Sequence, residues 1–443
     1  MNGRPTAYWL ERAWLGPARI ADKVLVTVGS GRITGVDTDV AAPPATARRL
    51  RGLTLPGLAN GHSHAFHRAL RGRTQTERGT FWTWREQMYA VAARLDPDSY
   101  FDLAVATYAE MAASGITGVG EFHYLHHDPD GHPYADPNAL GEALVAAARQ
   151  VGIRIALLDA CYLSSGFGAP PEGVQRRFSD GDSGRWAERV DALADKHADD
   201  EDVVVGAAVH SVRAVPRDQI DRVAEWATMR GAPLHAHLSE QVAENQACLE
   251  AYGETPATML FEAGALGAHA TAVHATHLTE SDIALLGSQG THACLCPTTE
   301  RDLADGIGPS RRLLEAGSPL TLGSDSHAVV DLFEEMRAVE LDERLATQRR
   351  GHWNADELLT AATSAGHASL GFPDAGRISV GAPADLVTVD LESTRTAGTG
   401  RGAEAAVFAA SAADVTHVVC AGRVLDTEPG GLLLARAIDA VHD

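Results

Sequence analysis

Short apolar runs recur along the middle of the chain, alternating with stretches whose apolar residues fall at helical spacing. The runs predict strands over Leu53–Leu58, Gly115–Phe122, Ile153–Ala160, Val203–Val209, Pro233–Leu238, Thr271–Ala275, Thr291–Cys296 and Leu320–Ser324. The stretches between them include Ser99–Ala113 and Ala139–Val151, the second with Asn138 as its expected N-cap after Pro137. This alternation predicts an α/β fold with a parallel (β/α)₈ barrel, although an open doubly wound sheet alternates in the same way. Both ends of the chain read as β instead. Lys23-Val-Leu-Val-Thr-Val28 and Arg32-Ile-Thr-Gly-Val36 form a hairpin pattern, and Arg377–Asp390 and Val415–Leu425 carry similar branched runs. The two ends are expected to meet in a small β-sandwich domain, residues 1–53 with 375–443, around a barrel of residues 54–374.

Composition narrows the function. The chain has 443 residues, 45% of them hydrophobic, which gives room for one large domain and an accessory one and excludes wholesale disorder. The net charge is −22, from 37 Lys and Arg against 59 Asp and Glu. No basic face can dominate such a field, so a nucleic acid or an anionic membrane is not the expected partner. The 5 cysteines are scattered and odd in number, which argues against a disulfide framework. Met1–Gly16 has no apolar core of a signal peptide, and no apolar stretch approaches the ~18 residues of a membrane span. A soluble cytoplasmic protein, acting on a small molecule and assembling as a homodimer, is the expectation.

The candidate chemistry collects where the predicted strands end. These ends read His62-Ser-His64, Glu121-Phe-His123-Tyr124, His210-Ser-Val-Arg213, His235-Ala-His237 with Glu240, His274-Ala-Thr-His277 and Asp325-Ser-His327. In a barrel, the C-terminal strand ends build the active site. His62 and His64 are two apart, so on a strand they share a face. Alone the pair is a weak signal; with His237 and Asp325 it becomes a set suited to zinc or ferrous iron. Glu240 would then stand near the metal and could shuttle protons, and His274 could bond the water or polarise a substrate. His235 is expected behind His237, and His327 as a loop residue. The chain has only two lysines, Lys23 and Lys196, and neither ends a barrel strand. A carbamylated-lysine bridge between two ions is therefore excluded, and one ion is the simpler expectation. Cys294 and Cys296 read as buried packing groups.

Leu55-Pro-Gly-Leu-Ala-Asn-Gly-His-Ser-His64, the later His237 and His274, Gly323-Ser-Asp325, and Gly381-Ala-Pro-Ala-Asp-Leu-Val387 resemble the amidohydrolase superfamily. Longer strings resemble its formimidoylglutamate deiminases: His62–Ala69, Phe81–Tyr89, Glu121–Asp128, His210–Val215 and Cys296–Glu300. The resemblance implies one zinc ion on His62, His64, His237 and Asp325. It implies Asp325 as the base for the attacking water, with Glu240 and His274 assisting proton transfer. It further implies conversion of N-formimidoyl-L-glutamate to N-formyl-L-glutamate and ammonia in histidine degradation, with substrate contacts from Arg85, Tyr124, His210 and Arg213. Two departures bear on substrate. His67, also a candidate contact, stands where the family pattern has Gln, and its charge is expected to vary with pH. Glu300–Gly306 differs from the expected Ala-Asn-Leu-Gly-Asp-Gly wording.

Two other readings compete. A purine deaminase of the same superfamily would favour aromatic and amide groups over the two arginines. A non-catalytic scaffold on this fold would tend to lose metal ligands, whereas the full set stands here. The net charge does not forbid a dicarboxylate, because salt screens it over about 8 Å; Arg85, Arg213 and the metal would have to hold the anion locally.

Overall fold

The computed structural model describes residues 6–75, 79, 81–426 and 430–442. Chain-terminal strands β1 (Thr6–Trp14), β2 (Ile20–Gly29), β3 (Arg32–Asp37) and β4 (Arg48–Pro56) lie together at one side. In β2, Val24, Val26 and Val28 alternate inward, the two-residue period of a sheet with one covered face. The middle of the chain supplies β5 (Leu58–Ser63), β6 (Ile116–His123), β7 (Arg154–Cys161), β8 (Val203–Val209), β9 (Leu234–Leu238), β10 (Ala270–His274), β11 (His292–Leu295) and β12 (Leu320–Leu322). The chain then returns with β13 (Leu386–Val389), β14 (Val415–Cys420) and β15 (Arg423–Val424).

Strands β5 to β12 hydrogen-bond in chain order, each parallel to the next, and a parallel bridge between Ser63 and Asp325 closes the sheet into a barrel. Asp325 N donates to His62 O at 3.0 Å and His64 N to Asp325 O at 3.2 Å, so the closing seam runs between three candidate metal ligands. Gly323 permits that seam: a Cβ there would lie 2.8 Å from His62 O. The barrel strands are buried almost throughout, as parallel strands covered on both faces must be. The terminal strands join in one seven-stranded sheet, ordered β15-β14-β13-β4-β1-β2-β3, with its own core around Tyr8, Leu10, Leu50 and Leu386.

Two local expectations are corrected. Leu53–Pro56 belongs to β4 of the terminal sheet, and the first barrel strand is β5, displaced towards the histidines. Leu53–Leu58 is one unbroken apolar run, and the change of sheet at Gly57 leaves no mark in hydrophobicity. Asn138 does not cap Ala139–Val151 through its side chain, which instead bonds Arg189 O at 3.1 Å and the Arg189 guanidinium at 3.2 Å. The C-terminal helix Gly431–His442 leaves the terminal sheet and packs on the barrel helix α2 (Pro97–Ala113). The segment α1 (Phe81–Ala92), just before it, is helical and caps the pocket described next.

Candidate active site

His62 and His64 end β5, His237 lies in β9, and Asp325 follows β12. One ligand atom from each lies within 4.8 Å of the others. The His62 Nε2–His237 Nε2 separation is 3.1 Å, and Asp325 Oδ1 is 3.4 Å from His62 Nε2 and 3.3 Å from His64 Nε2. Two backbone carbonyls decide the tautomers. His64 Nδ1 donates to Phe122 O at 2.9 Å and His237 Nδ1 to His210 O at 2.8 Å. A carbonyl only accepts, so Nδ1 carries the hydrogen and Nε2 presents a lone pair. Burial also holds the pKa of both rings well below its usual value, so they stay neutral. Burial alone would raise the Asp325 carboxyl, but His62 and its neighbours hold it well below its usual range. The lone pairs of His64 and His237, converging with the His62 ring and a carboxylate, fit one divalent cation.

Backbone strain marks the same rim. Ser239, His274, Ala275, Asp325 and His327 all have positive φ, between 40° and 66°, at the ends of β9, β10 and β12. Five non-glycine residues in this region, clustered at one end of a barrel, mark a site where side-chain aim overrides backbone preference. His274 aims its Nε2 at Glu240, 3.8 Å away, and at Asp325 Oδ2, 3.9 Å away, with Nδ1 3.5 Å from Glu300. Burial opposes its charge, but Glu240, Glu300 and Asp325 outweigh it and keep the imidazole pKa well above its usual value. Burial raises the Glu240 carboxyl. The arrangement can pass a proton between Asp325 and a group above the metal cluster.

Every residue expected to contact substrate lines one cavity with this cluster: His67, Arg85, Tyr124, His210 and Arg213. Arg85 stacks on the Tyr89 ring at 5.1 Å. Arg213 faces Glu244 at 3.5 Å and is partly shielded. His67 Nε2 meets Tyr124 Oη at 2.9 Å. Burial pushes its pKa down to about 3, so His67 is neutral at physiological pH and the expected pH-variable charge is not found. His235 faces inward beneath His237 and bonds Ser369 O at 3.0 Å. His327 is a buried loop residue held by Ser63. Glu121 accepts from Ala65 N at 2.6 Å and Ser63 Oγ at 2.7 Å, clamping the chain on either side of His64. Cys294 and Cys296 pack with Val273 in the barrel interior.

Sequence reasoning missed Glu300 and the aromatic wall of Trp84, Tyr89, Tyr162 and Phe178. The Phe81–Tyr89 string was the one signal for the wall, and it pointed to a segment without saying which faces turn inward.

The amidohydrolase family matches residues 53–425, and the chain belongs to that family, as a hydrolase acting on carbon–nitrogen bonds. Over 361 residues it is 39% identical to formimidoylglutamate deiminase of Pseudomonas aeruginosa, covering 78% of each chain. The amidohydrolase from Brucella melitensis is similar throughout, with a TM-score of 0.91, 31% identity and coverage of 99% of this chain and 100% of that one. An adenosine deaminase from Xanthomonas campestris with bound zinc has a TM-score of 0.85 and 26% identity, over 98% of this chain and 97% of that one.

Proposed function

We propose that this protein hydrolyses N-formimidoyl-L-glutamate to N-formyl-L-glutamate and ammonia, the deimination step of histidine degradation, using one zinc ion per chain. The observation that carries this reading is that Arg85 and Arg213 line the same cavity as the three-histidine, one-aspartate cluster. A guanidinium matches a carboxylate in charge and in fork geometry, and a dicarboxylate substrate has two. The 39% identity to formimidoylglutamate deiminase supports the same substrate.

His62, His64, His237 and Asp325 would hold the zinc, which as a Lewis acid makes water a nucleophile near neutral pH. Arg85 and Arg213 anchor the glutamyl carboxylates and turn the formimidoyl carbon towards the cluster. Tyr124, oriented by His67, and His210 close the sides. Asp325 keeps Oδ1 towards His62 and His64, which leaves Oδ2, facing His274, to take a proton from the attacking water. His274 and Glu240 carry protons to the terminal nitrogen. The water oxygen stays on carbon as the formyl oxygen, the bond from carbon to the terminal nitrogen breaks, and ammonia leaves.

The test compares ammonia release by zinc-loaded protein from N-formimidoyl-L-glutamate, guanine and adenosine. The expected kcat/KM favours N-formimidoyl-L-glutamate by about a hundredfold or more, because a neutral ring offers neither guanidinium a carboxylate. Turnover of a purine without turnover of N-formimidoyl-L-glutamate would replace this reading with a purine deaminase.

A further inference from the structure

Gln175 lies in the short helical turn Gly173–Phe178, which follows β7 and leads to helix α4 (Ser183–His197). Its side chain is buried, 3% exposed, and touches two tyrosines of the pocket wall. The amide Nε2 is 3.0 Å from Tyr89 Oη and 2.9 Å from Tyr162 Oη. Its orientation is fixed from the other side, because Oε1 accepts from Glu172 N at 3.1 Å and a backbone N–H can only donate. The two amide hydrogens are thus given to the two phenol oxygens, and each tyrosine must spend its own hydrogen elsewhere. Both hydroxyls receive from the same amide behind the wall, so neither phenol hydrogen is used on Gln175. Tyr89 lies under the Arg85 guanidinium, and Arg213 lines the same cavity as both tyrosines.

We infer that Tyr89 and Tyr162 bind a substrate carboxylate as hydroxyl donors beside Arg85 and Arg213, and that Gln175 is the positioning residue that turns their hydrogens into the pocket. The inference rests on the proposed dicarboxylate substrate and adds the groups that select it. It explains why a wall rich in aromatic rings can serve an anion: two of those rings carry donors, and a buried amide prevents the donors from being used behind the wall. A purine-binding wall would use the ring faces and have no need to fix the hydroxyls.

The experiment uses glutarate, a dicarboxylate without the reacting group, bound to the zinc-loaded full chain and followed by calorimetry. Tyr89→Phe and Tyr162→Phe remove one hydroxyl each, and the more donating of the two is expected to weaken glutarate binding about tenfold or more. Gln175→Glu replaces two donors by an acceptor that draws the phenol hydrogens away from the pocket, whereas Gln175→Leu only removes the support. Gln175→Glu should therefore weaken binding more than Gln175→Leu. Zinc content and thermal midpoint should stay near wild type in both Phe variants. Wild-type binding retained in both Phe variants and their double variant would overturn the inference, as would a wild-type chain that does not bind glutarate. The converse order of the two Gln175 variants would overturn its positioning role. Glutarate binding that weakens as expected in a chain that releases no ammonia from N-formimidoyl-L-glutamate would overturn the substrate reading alone.

Discussion

At the residue scale, two of the proposed metal-facing nitrogens depend on what holds the other nitrogen of the ring. His64 and His237 are fixed by carbonyls of Phe122 and His210, groups with no side-chain signature in the sequence. His-x-His, the later His and the Asp were legible because residue type and spacing carry the chemistry. Their tautomers were not, because backbone carbonyls are everywhere and only the fold selects two of them. Glu300 was invisible for the same reason: its place beside His274 comes from β11 and β10 lying side by side. Asp325→Asn should lower kcat by about a hundredfold or more, as removal of a general base does. Some zinc should remain on the three histidines. His237→Ala should cost both activity and zinc, read by metal analysis of the purified chain.

At the element scale, buried ionic groups fix the strand ends. The Arg189 guanidinium meets Asp159 at 2.8 Å and Asp180 at 2.9 Å, and Asp180 lies 3.3 Å from His127 on the segment after β6 that carries Tyr124. His123, His126 and Asp159 are close enough to hold an ion, but both Asp159 oxygens are already taken by Arg189 and Trp186. Arg189→Ala would leave two buried carboxylates unpaired and is expected to destabilise the fold by about 3–5 kcal/mol, seen as a lower denaturant midpoint. Glu121 gives a pH signature. Burial raises its carboxyl from an ordinary 4.5 to about 8, so the folded chain binds a proton that the unfolded chain releases. Its contribution therefore falls as pH rises from about 4.5 to about 8. Glu121→Gln should flatten the decline of the thermal midpoint over that range; an unchanged slope would refute the raised pKa.

At the scale of the whole molecule, the alternation of apolar runs revealed the barrel, and the branched runs at both ends revealed a shared sheet. What hydrophobicity could not mark was where the chain changes partner. Leu53–Pro56 is as apolar as Leu58, yet the two belong to different sheets, and the C-terminal helix returns to the barrel through packing on α2. The four proposed ligands, drawn from β5, β9 and the end of β12, would tie the two sides of the barrel seam through one ion. Removing the ion should lower the thermal midpoint, since a ligand present at a hundred times its Kd stabilises by about 2.7 kcal/mol; re-addition of zinc should restore it. The net charge of −22 leaves anion capture to a few local cations, so steering of substrate should be weak and kcat/KM should vary little with salt.

The central claim is that water attacks the formimidoyl carbon and that the terminal nitrogen leaves. Proton NMR of N-formimidoyl-L-glutamate mixed with zinc-loaded protein tests it directly. The account predicts N-formyl-L-glutamate and ammonia in equal amounts, with no free glutamate. Formamide and glutamate, formed by breaking the other carbon–nitrogen bond, would contradict it.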